Sequence, residues 1–177
     1  MRIIAGSFRG KQIAPPKNFN ARPTTDVAKE GLFNILTNYF SFEEVKVLDL
    51  FSGSGSISYE FASRGCLDVD LVEMNPIHYA FIAKTIKDLG FNQIHPVKHN
   101  AFQFLKFCKK KYDLIFADPP YDIDGIDQIP TLTFENDLLA DGGWLIVEHS
   151  GSFDFSGMPN YRESRLYGKV HFSIFEK

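Results

Sequence analysis

Cysteine is scarce in this chain: Cys66 and Cys108 are the only two in 177 residues, and each stands alone. They fit no metal or redox spacing, so both are expected as reduced core thiols. Long apolar runs are missing as well. Nothing approaches the roughly 18 consecutive apolar residues of a membrane-spanning helix. The apolar stretch in the opening MRIIAGSFRG is far shorter than a secretory signal requires. Both features predict a cytoplasmic protein with no membrane partner. Histidine offers no metal centre: His95 and His99 are four apart, but Pro96 lies between them in a strand-like stretch, and that spacing needs a helix to converge on an ion. The last scarcity is local. Residues 1–25 contain no acid but hold Arg2, Arg9, Lys11, Lys17 and Arg22, a charge of +5. Residues 26–177 carry 14 basic and 22 acidic residues, a charge of −8. The pattern is a basic N-terminal arm on an acidic body, residues 1–25 and 26–177, within one globular unit.

What is present is apolar and aromatic. Hydrophobic residues make up 44% and aromatics 15%, with 18 Phe, which predicts a packed interior and excludes disorder. Arg2–Ala5 and Lys11–Ala14 read as short strands around Gly6-Ser7-Phe8-Arg9-Gly10, a hairpin-length turn. Pro15, Pro16 and Pro23 keep the following stretch extended. A helix starts near Thr24-Thr25, with Val27, Leu32, Ile35, Leu36 and Tyr39 expected on its buried face. From Val45 onward, near-continuous apolar runs alternate with helical stretches. Strands are expected at Val45–Phe51, Val69–Glu73, Ile94–Lys98, Tyr112–Ala117 and Trp144–Glu148. Helices are expected at Ile57–Arg64, Pro76–Leu89, Ala101–Lys109 and around Asp127–Leu139. Such alternation means a mostly parallel sheet covered on both faces, a doubly wound α/β fold. The tail differs: Tyr161–Tyr167 and Val170–Phe175 flank Gly168-Lys169 as an antiparallel hairpin.

In such sheets ligands bind beyond the carboxyl ends of the strands, where strand order reverses. That rule brings two motifs into one crevice. The first is LDLFSGSGS, Leu48–Ser56, in which Gly53 and Gly55 permit a tight turn and close approach of a ligand. A dinucleotide fingerprint would want a third glycine where Ser58 stands. Glu73 ends the second strand, where a carboxylate can accept from both hydroxyls of a ribose. Together these indicate an adenosine-type cofactor without a strong demand for phosphate binding. The second motif is Asp118-Pro119-Pro120-Tyr121, where no ladder can continue. An exocyclic amine on a nucleobase is a poor nucleophile because its lone pair is delocalised into the ring. Fixed acceptors for its N–H groups stabilise the charge that develops on nitrogen. Asp118 supplies a carboxylate, Pro119 a rigidly held carbonyl, and Tyr121 a stacking surface for a base turned out of its strand. A nicotinamide cofactor leaves this motif unexplained; S-adenosylmethionine accounts for it.

The runs RIIAGSFRGKQI, RPTTDVAKEGLFNIL (Arg22–Leu36), LDLFSGSGS, VEMNP (Val72–Pro76), His99-Asn100-Ala101 and ADPPY (Ala117–Tyr121) occur in order over almost the whole chain. In these the chain resembles the bacterial RsmD-type 16S ribosomal RNA (guanine(966)-N2)-methyltransferases. The resemblance implies a Rossmann-like methyltransferase fold. It also implies transfer of a methyl group from S-adenosylmethionine to N2 of one guanine in 16S rRNA, in the small ribosomal subunit or an assembly intermediate, by a monomer. Carried over by position, Asp49, Gly53 and Gly55 line the methionine side of the cofactor, with Ser52, Met74 and Ala101 beside the same site. Glu73 holds the ribose, and Asn100 stands where the wider class often has an Asp that contacts the adenine amino group. Asp118, Pro119 and Tyr121 handle the target base, and Arg2, Arg9, Lys11 and Arg22 would contact RNA. No metal is implied. DPPY is shared by enzymes that methylate other amines, so adenine N6 in DNA stays open as an acceptor. A non-catalytic RNA-binding protein of the same fold stays open too.

Overall fold

The computed structural model describes residues 1–16, 19 and 24–177. Seven strands and five helices alternate along the described chain: α1 (Asp26–Leu36), β1 (Lys46–Leu50), α2 (Ser56–Ser63), β2 (Asp68–Val72), α3 (Pro76–Leu89), β3 (Ile94–Val97), α4 (Ala101–Phe107), β4 (Tyr112–Ala117), α5 (Gln128–Glu135), β5 (Leu139–His149), β6 (Tyr161–Tyr167) and β7 (Val170–Glu176). The sheet order is β3-β2-β1-β4-β5-β7-β6. The first five pair in parallel, while β7 runs antiparallel between β5 and β6. Strand order reverses between β1 and β4, so the crevice falls at their carboxyl ends. Its floor is tied together by backbone bonds from Asp118 N–H to the Leu50 carbonyl and from Ser52 N–H to the Val72 carbonyl.

Local chemistry sets several element ends. Thr25 caps α1 by accepting from Ala28 N–H. On α3 the Asn75 side chain accepts from Ile77 and His78 N–H, Pro76 occupies the first turn, and Gly90 ends the helix in the left-handed region. Other ends differ from the expectation. The helix α4 stops at Phe107, because Cys108 is already extended (ψ 139°) and Lys109–Lys111 lead directly into β4. The strand β5 begins at Leu139, earlier than Trp144: Leu139 pairs with Tyr112 before a register shift at Tyr112/Leu114 accommodates the Asp-Gly-Gly stretch.

The inner face of α1 also differs. It is formed by Ala28, Lys29, Leu32, Phe33 and Leu36, whereas Val27 and Tyr39 are exposed. A lysine thus occupies a position that the apolar spacing assigned to no one. Lys29 Nζ donates to the Arg2 carbonyl at 2.6 Å and to Ser56 Oγ at 3.1 Å, and lies 3.7 Å from the Glu60 carboxylate. Burial lowers its pKa, and Glu60 opposes that shift.

The N-terminal segment forms the expected hairpin in short form. Arg2 and Gln12 make an antiparallel bridge, flanked by bonds from Ile3 N–H to the Lys11 carbonyl and from Ile13 N–H to the Met1 carbonyl. The segment is also anchored on α2. Fully buried Glu60 accepts from Ile4 N–H at 2.8 Å, Ala5 N–H at 3.0 Å and Arg64 Nε at 2.9 Å. Ile3 and Ile13 enter the core, and Phe8 packs on Phe91 at 4.6 Å. Gly6 makes the approach possible: a Cβ there would lie 1.8 Å from the Ser63 carbonyl oxygen. Cys66 and Cys108 are both buried and reduced, and burial pushes the Cys66 thiol up to about 11.

Candidate active site

A cavity of about 460 Å³ opens at the carboxyl ends of β1 and β4. Its walls bring together Asp49, Ser52, Gly53, Glu73, Met74, Asn100, Ala101, Asp118, Pro119 and Tyr121, which lie far apart in sequence. Gly55 is absent from the lining. It adopts φ 78° and its Cα faces Tyr59, whose hydroxyl would stand 2.6 Å from a Cβ. That glycine therefore shapes the turn from behind.

The turn after β1 begins with an unusual residue. Phe51 has φ 56°, a left-handed conformation that is an outlier for a bulky side chain and costs on the order of 1–3 kcal/mol. It redirects the chain out of the sheet, and the Ser52 hydroxyl closes the bend on the Asp49 carbonyl at 2.6 Å. Asp49 itself is buried, and its Oδ2 accepts from the hydroxyl and the N–H of Ser58 at 2.6 and 3.2 Å. The residue that departs from the three-glycine pattern is thus the partner of the aspartate. Burial raises the Asp49 pKa to about 7; the Ser58 bonds pull it down, and the charges of Asp118 and Glu73 push it further up.

Glu73 stands just past β2, where its carboxylate accepts from Gly53 N–H at 2.8 Å and from Asn75 N–H at 2.7 Å. His78 Nδ1 lies 3.8 Å away. A carboxylate has about four acceptor sites, so two bonds leave capacity for hydroxyl donors. Asn100 caps α4: its side-chain oxygen accepts from Gln103 N–H at 3.0 Å, and its amide nitrogen lies 3.7 Å from Met74 Sδ. One lone pair of that oxygen is thereby used locally and a second remains.

On the opposite wall, Pro119 is buried while Pro120 and Tyr121 are exposed, Tyr121 to 44%. The sequence reading missed two residues here. The Thr24 hydroxyl lies 3.5 Å from Asp118 Oδ2 and 3.4 Å from Glu148 Oε2, and both Thr24 and Glu148 line the cavity. Glu148 is only 3% exposed, near the end of β5. Its signal was visible as an acid inside the apolar run WLIVEH, since a charge in a buried parallel strand calls for an explanation. Thr24, by its place before α1, signals only a helix cap.

Of the basic residues assigned to RNA, the described ones, Arg2, Arg9 and Lys11, do not line this cavity. Arg2 pairs with Asp26 at 3.3 Å, Arg9 and Lys11 are exposed, and Arg22 lies outside the described residues, as does Lys17. In the run Lys109-Lys110-Lys111, Lys110 binds Asp68 and Asp70 while Lys111 binds Asp137.

The family model described as conserved hypothetical protein 95 matches residues 1–176. Ribosomal RNA small subunit methyltransferase D of Buchnera aphidicola subsp. Baizongia pistaciae is 30% identical, over 99% of this chain and 91% of that protein. The protein of the same name from Escherichia coli K12 is 28% identical over 100% and 90%. Among solved structures, the E. coli protein yhhF superimposes with a TM-score of 0.87 at 28% identity, covering 100% of this chain and 97% of that one.

Proposed function

The chain belongs to the conserved hypothetical protein 95 family, and on that premise we propose that it methylates the exocyclic N2 amine of a guanine in 16S rRNA, using S-adenosylmethionine. One observation carries the reading: a single cavity joins the glycine turn after β1, the acid after β2 and the Asp-Pro-Pro-Tyr corner after β4. The relatives named above are ribosomal RNA methyltransferases by name, and their near-complete coverage extends that activity to this chain.

The residues present fit the cofactor. Glu73 keeps acceptor capacity toward ribose hydroxyls, and the Asn100 oxygen keeps a lone pair toward an adenine amine. Ser52, Gly53, Met74 and Ala101 shape the wall between them, and Asp49 adds negative charge on the methionine side. When bound, the cofactor supplies an electrophilic methyl group on a positively charged sulfonium. Acidic walls suit that charge and disfavour a pyrophosphate, which separates this site from a dinucleotide site.

Asp118 accepts an N–H of the guanine amine, stabilises the positive charge that grows on nitrogen, and takes the proton that N2 releases. The Pro119 carbonyl, on a segment stiffened by two prolines, is the second acceptor. Tyr121 stacks on the extruded base, a contact worth about 1–3 kcal/mol. Arg9 and Lys11, with Arg22, meet phosphates of the RNA, and Arg2 does so where it leaves Asp26. In this reading residues 1–25 form an RNA-facing segment of the methyltransferase domain that occupies 26–177, and the protein works as a monomer in the cytoplasm on the small subunit or its precursor.

The test is nucleoside mass spectrometry of small-subunit rRNA from cells lacking the gene. Loss of one N2-methylguanosine, restored by the intact gene, is the expected result. An unchanged nucleoside profile would move the activity to another acceptor, such as an adenine amine in DNA.

A further inference from the structure

Resting on that reading, we infer that Glu148 is the residue that selects guanine, by accepting the N1–H beside the amine that is methylated. The observation is a pair of carboxylates in one wall. Asp118, after β4, and Glu148, on β5, each come within 3.5 Å of the same Thr24 hydroxyl oxygen, so they are neighbours facing one cavity. A hydroxyl has one proton and donates to one of them at a time.

Acceptance of a single amine does not require a second carboxylate, since Asp118 and the Pro119 carbonyl already supply two acceptors. The edge of guanine does. Its N1–H and its N2 amine sit on adjacent atoms and point to the same side, so one edge presents neighbouring donors. An ionised carboxylate only accepts. Two side by side match guanine: Asp118 takes the amine and Glu148 takes N1–H.

The same pair opposes the other amino bases. In adenine the ring nitrogen beside the amine is N1, an acceptor, and in cytosine it is N3, also an acceptor. Either would point a lone pair at the Glu148 carboxylate, an arrangement that is repulsive and leaves the ring nitrogen of the base without a donor. Asp-Pro-Pro-Tyr alone does not discriminate among these amines, so the discrimination comes from β5. The position is held firmly. Glu148 is registered against Phe172 of β7. The next residue, His149, is fixed by the Ser150 carbonyl at 2.7 Å and the Ser173 hydroxyl at 2.8 Å.

The probe is 2-aminopurine, which keeps the amine but turns the neighbouring N1 into an acceptor. Single-turnover methyl transfer is measured on small subunits reconstituted with 16S rRNA carrying either guanine or 2-aminopurine at the methylated position. Wild type is expected to prefer guanine by about 10²-fold or more, because sites built around a hydrogen bond reject analogues that lack it. Glu148→Gln can turn an N–H toward the acceptor, so its guanine rate should fall and its preference should shrink at least tenfold. Calorimetric binding of S-adenosylmethionine should be unchanged, which separates a specificity role from loss of the fold. Glu148→Asp, with its carboxylate withdrawn, should slow guanine while keeping the preference. A wild-type ratio near one overturns the inference with no variant needed, and so does an unaltered ratio in Glu148→Gln. In both cases guanine methylation by wild type leaves the enzyme reading intact. No transfer to guanine by wild type overturns both.

Discussion

At the amino ends of the strands, Asp68 and Asp70 are bound by one ammonium, that of Lys110, at 2.6 and 2.9 Å, and Asp137 is bound by Lys111 and Lys177 at 2.6 Å each. At the carboxyl ends the bonds are of another kind. Asp49 accepts from Ser58, Glu73 from the backbone of Gly53 and Asn75, and the Thr24 hydroxyl lies against Asp118 and Glu148. Carboxylates are abundant at both ends, but ammonium groups bind Asp68, Asp70 and Asp137, whereas Ser58, Gly53, Asn75 and Thr24 bring N–H and O–H groups to the other set. The first arrangement serves the fold. Under the proposed function, the second places carboxylate oxygens where a sulfonium cofactor and a donor-rich base edge would lie. Were this difference accidental, variants at the two ends would have interchangeable effects.

The largest separation is expected at Asp118. Asp118→Ala should slow methyl transfer by roughly 10²-fold or more, the scale for losing a positioned electrostatic partner. S-adenosylmethionine affinity and thermal stability should stay near wild type. A variant with near-normal turnover would remove Asp118 from the mechanism.

Next comes Glu73. Its replacement by Ala should weaken S-adenosylmethionine binding by about 1.5–3 kcal/mol, the range for hydrogen bonds to a charged group. Calorimetry on the free protein measures this without RNA, and equal affinities would place the ribose elsewhere.

Asp49 sharpens the comparison through pH. Its folded pKa stands at about 7, above the ordinary 3.8 of an unfolded chain, so the folded state holds its proton more tightly. Its contribution therefore weakens the fold progressively as pH rises from about 4 to about 7 and changes little beyond. A cationic ligand prefers the ionised form and is bound with release of that proton. Affinity for S-adenosylmethionine should thus climb with pH up to about 7, by at most about tenfold per unit for one proton, and then level off. Asp49→Asn should flatten the profile. A wild-type profile already flat between pH 5.5 and 7.5 would contradict the assignment.

The smallest effects belong to the amino end. Lys110→Ala should cost about 1 kcal/mol, lowering the melting temperature by about 2–4 °C in a chain of this size, with cofactor affinity and turnover untouched. Lys111→Ala, whose ion pair is more exposed, should fall within about 0.5 kcal/mol of wild type. A loss of activity in either variant would show that the two ends are coupled.

The sequence made the parallel core legible because buried strands and capped helices write their pattern locally. The run Tyr112–Ala117 and the span Pro76–Leu89 emerge with the bounds expected of them. Gathering the two motifs at the switch point also follows from topology alone. What stayed hidden depended on partners distant in the chain. Lys29 is buried because Arg2, Ser56 and Glu60 surround its ammonium, and no periodicity within α1 encodes them. The early start of β5 at Leu139 depends on pairing with Tyr112 across a register shift. Thr24 and Glu148 meet Asp118 only once α1 and β5 are packed beside β4.

The anchoring of the first residues on Glu60 has a consequence for how the molecule is made. Ile4 and Ala5 bind a carboxylate 56 and 55 residues further along. On the ribosome, at about 5–20 residues per second, that separation amounts to several seconds of synthesis before the acceptor exists. Over that interval the opening strip, with Ile3 and Ile13 still uncovered, can close only on itself, through bonds such as Ile3 N–H to the Lys11 carbonyl and Ile13 N–H to the Met1 carbonyl. Its docking needs Glu60 of α2 in place, and contacts this distant in sequence are the kind that slow folding. Shortening the delay by circular permutation, with residues 1–13 relocated after β7, would turn this timing into an observable refolding rate.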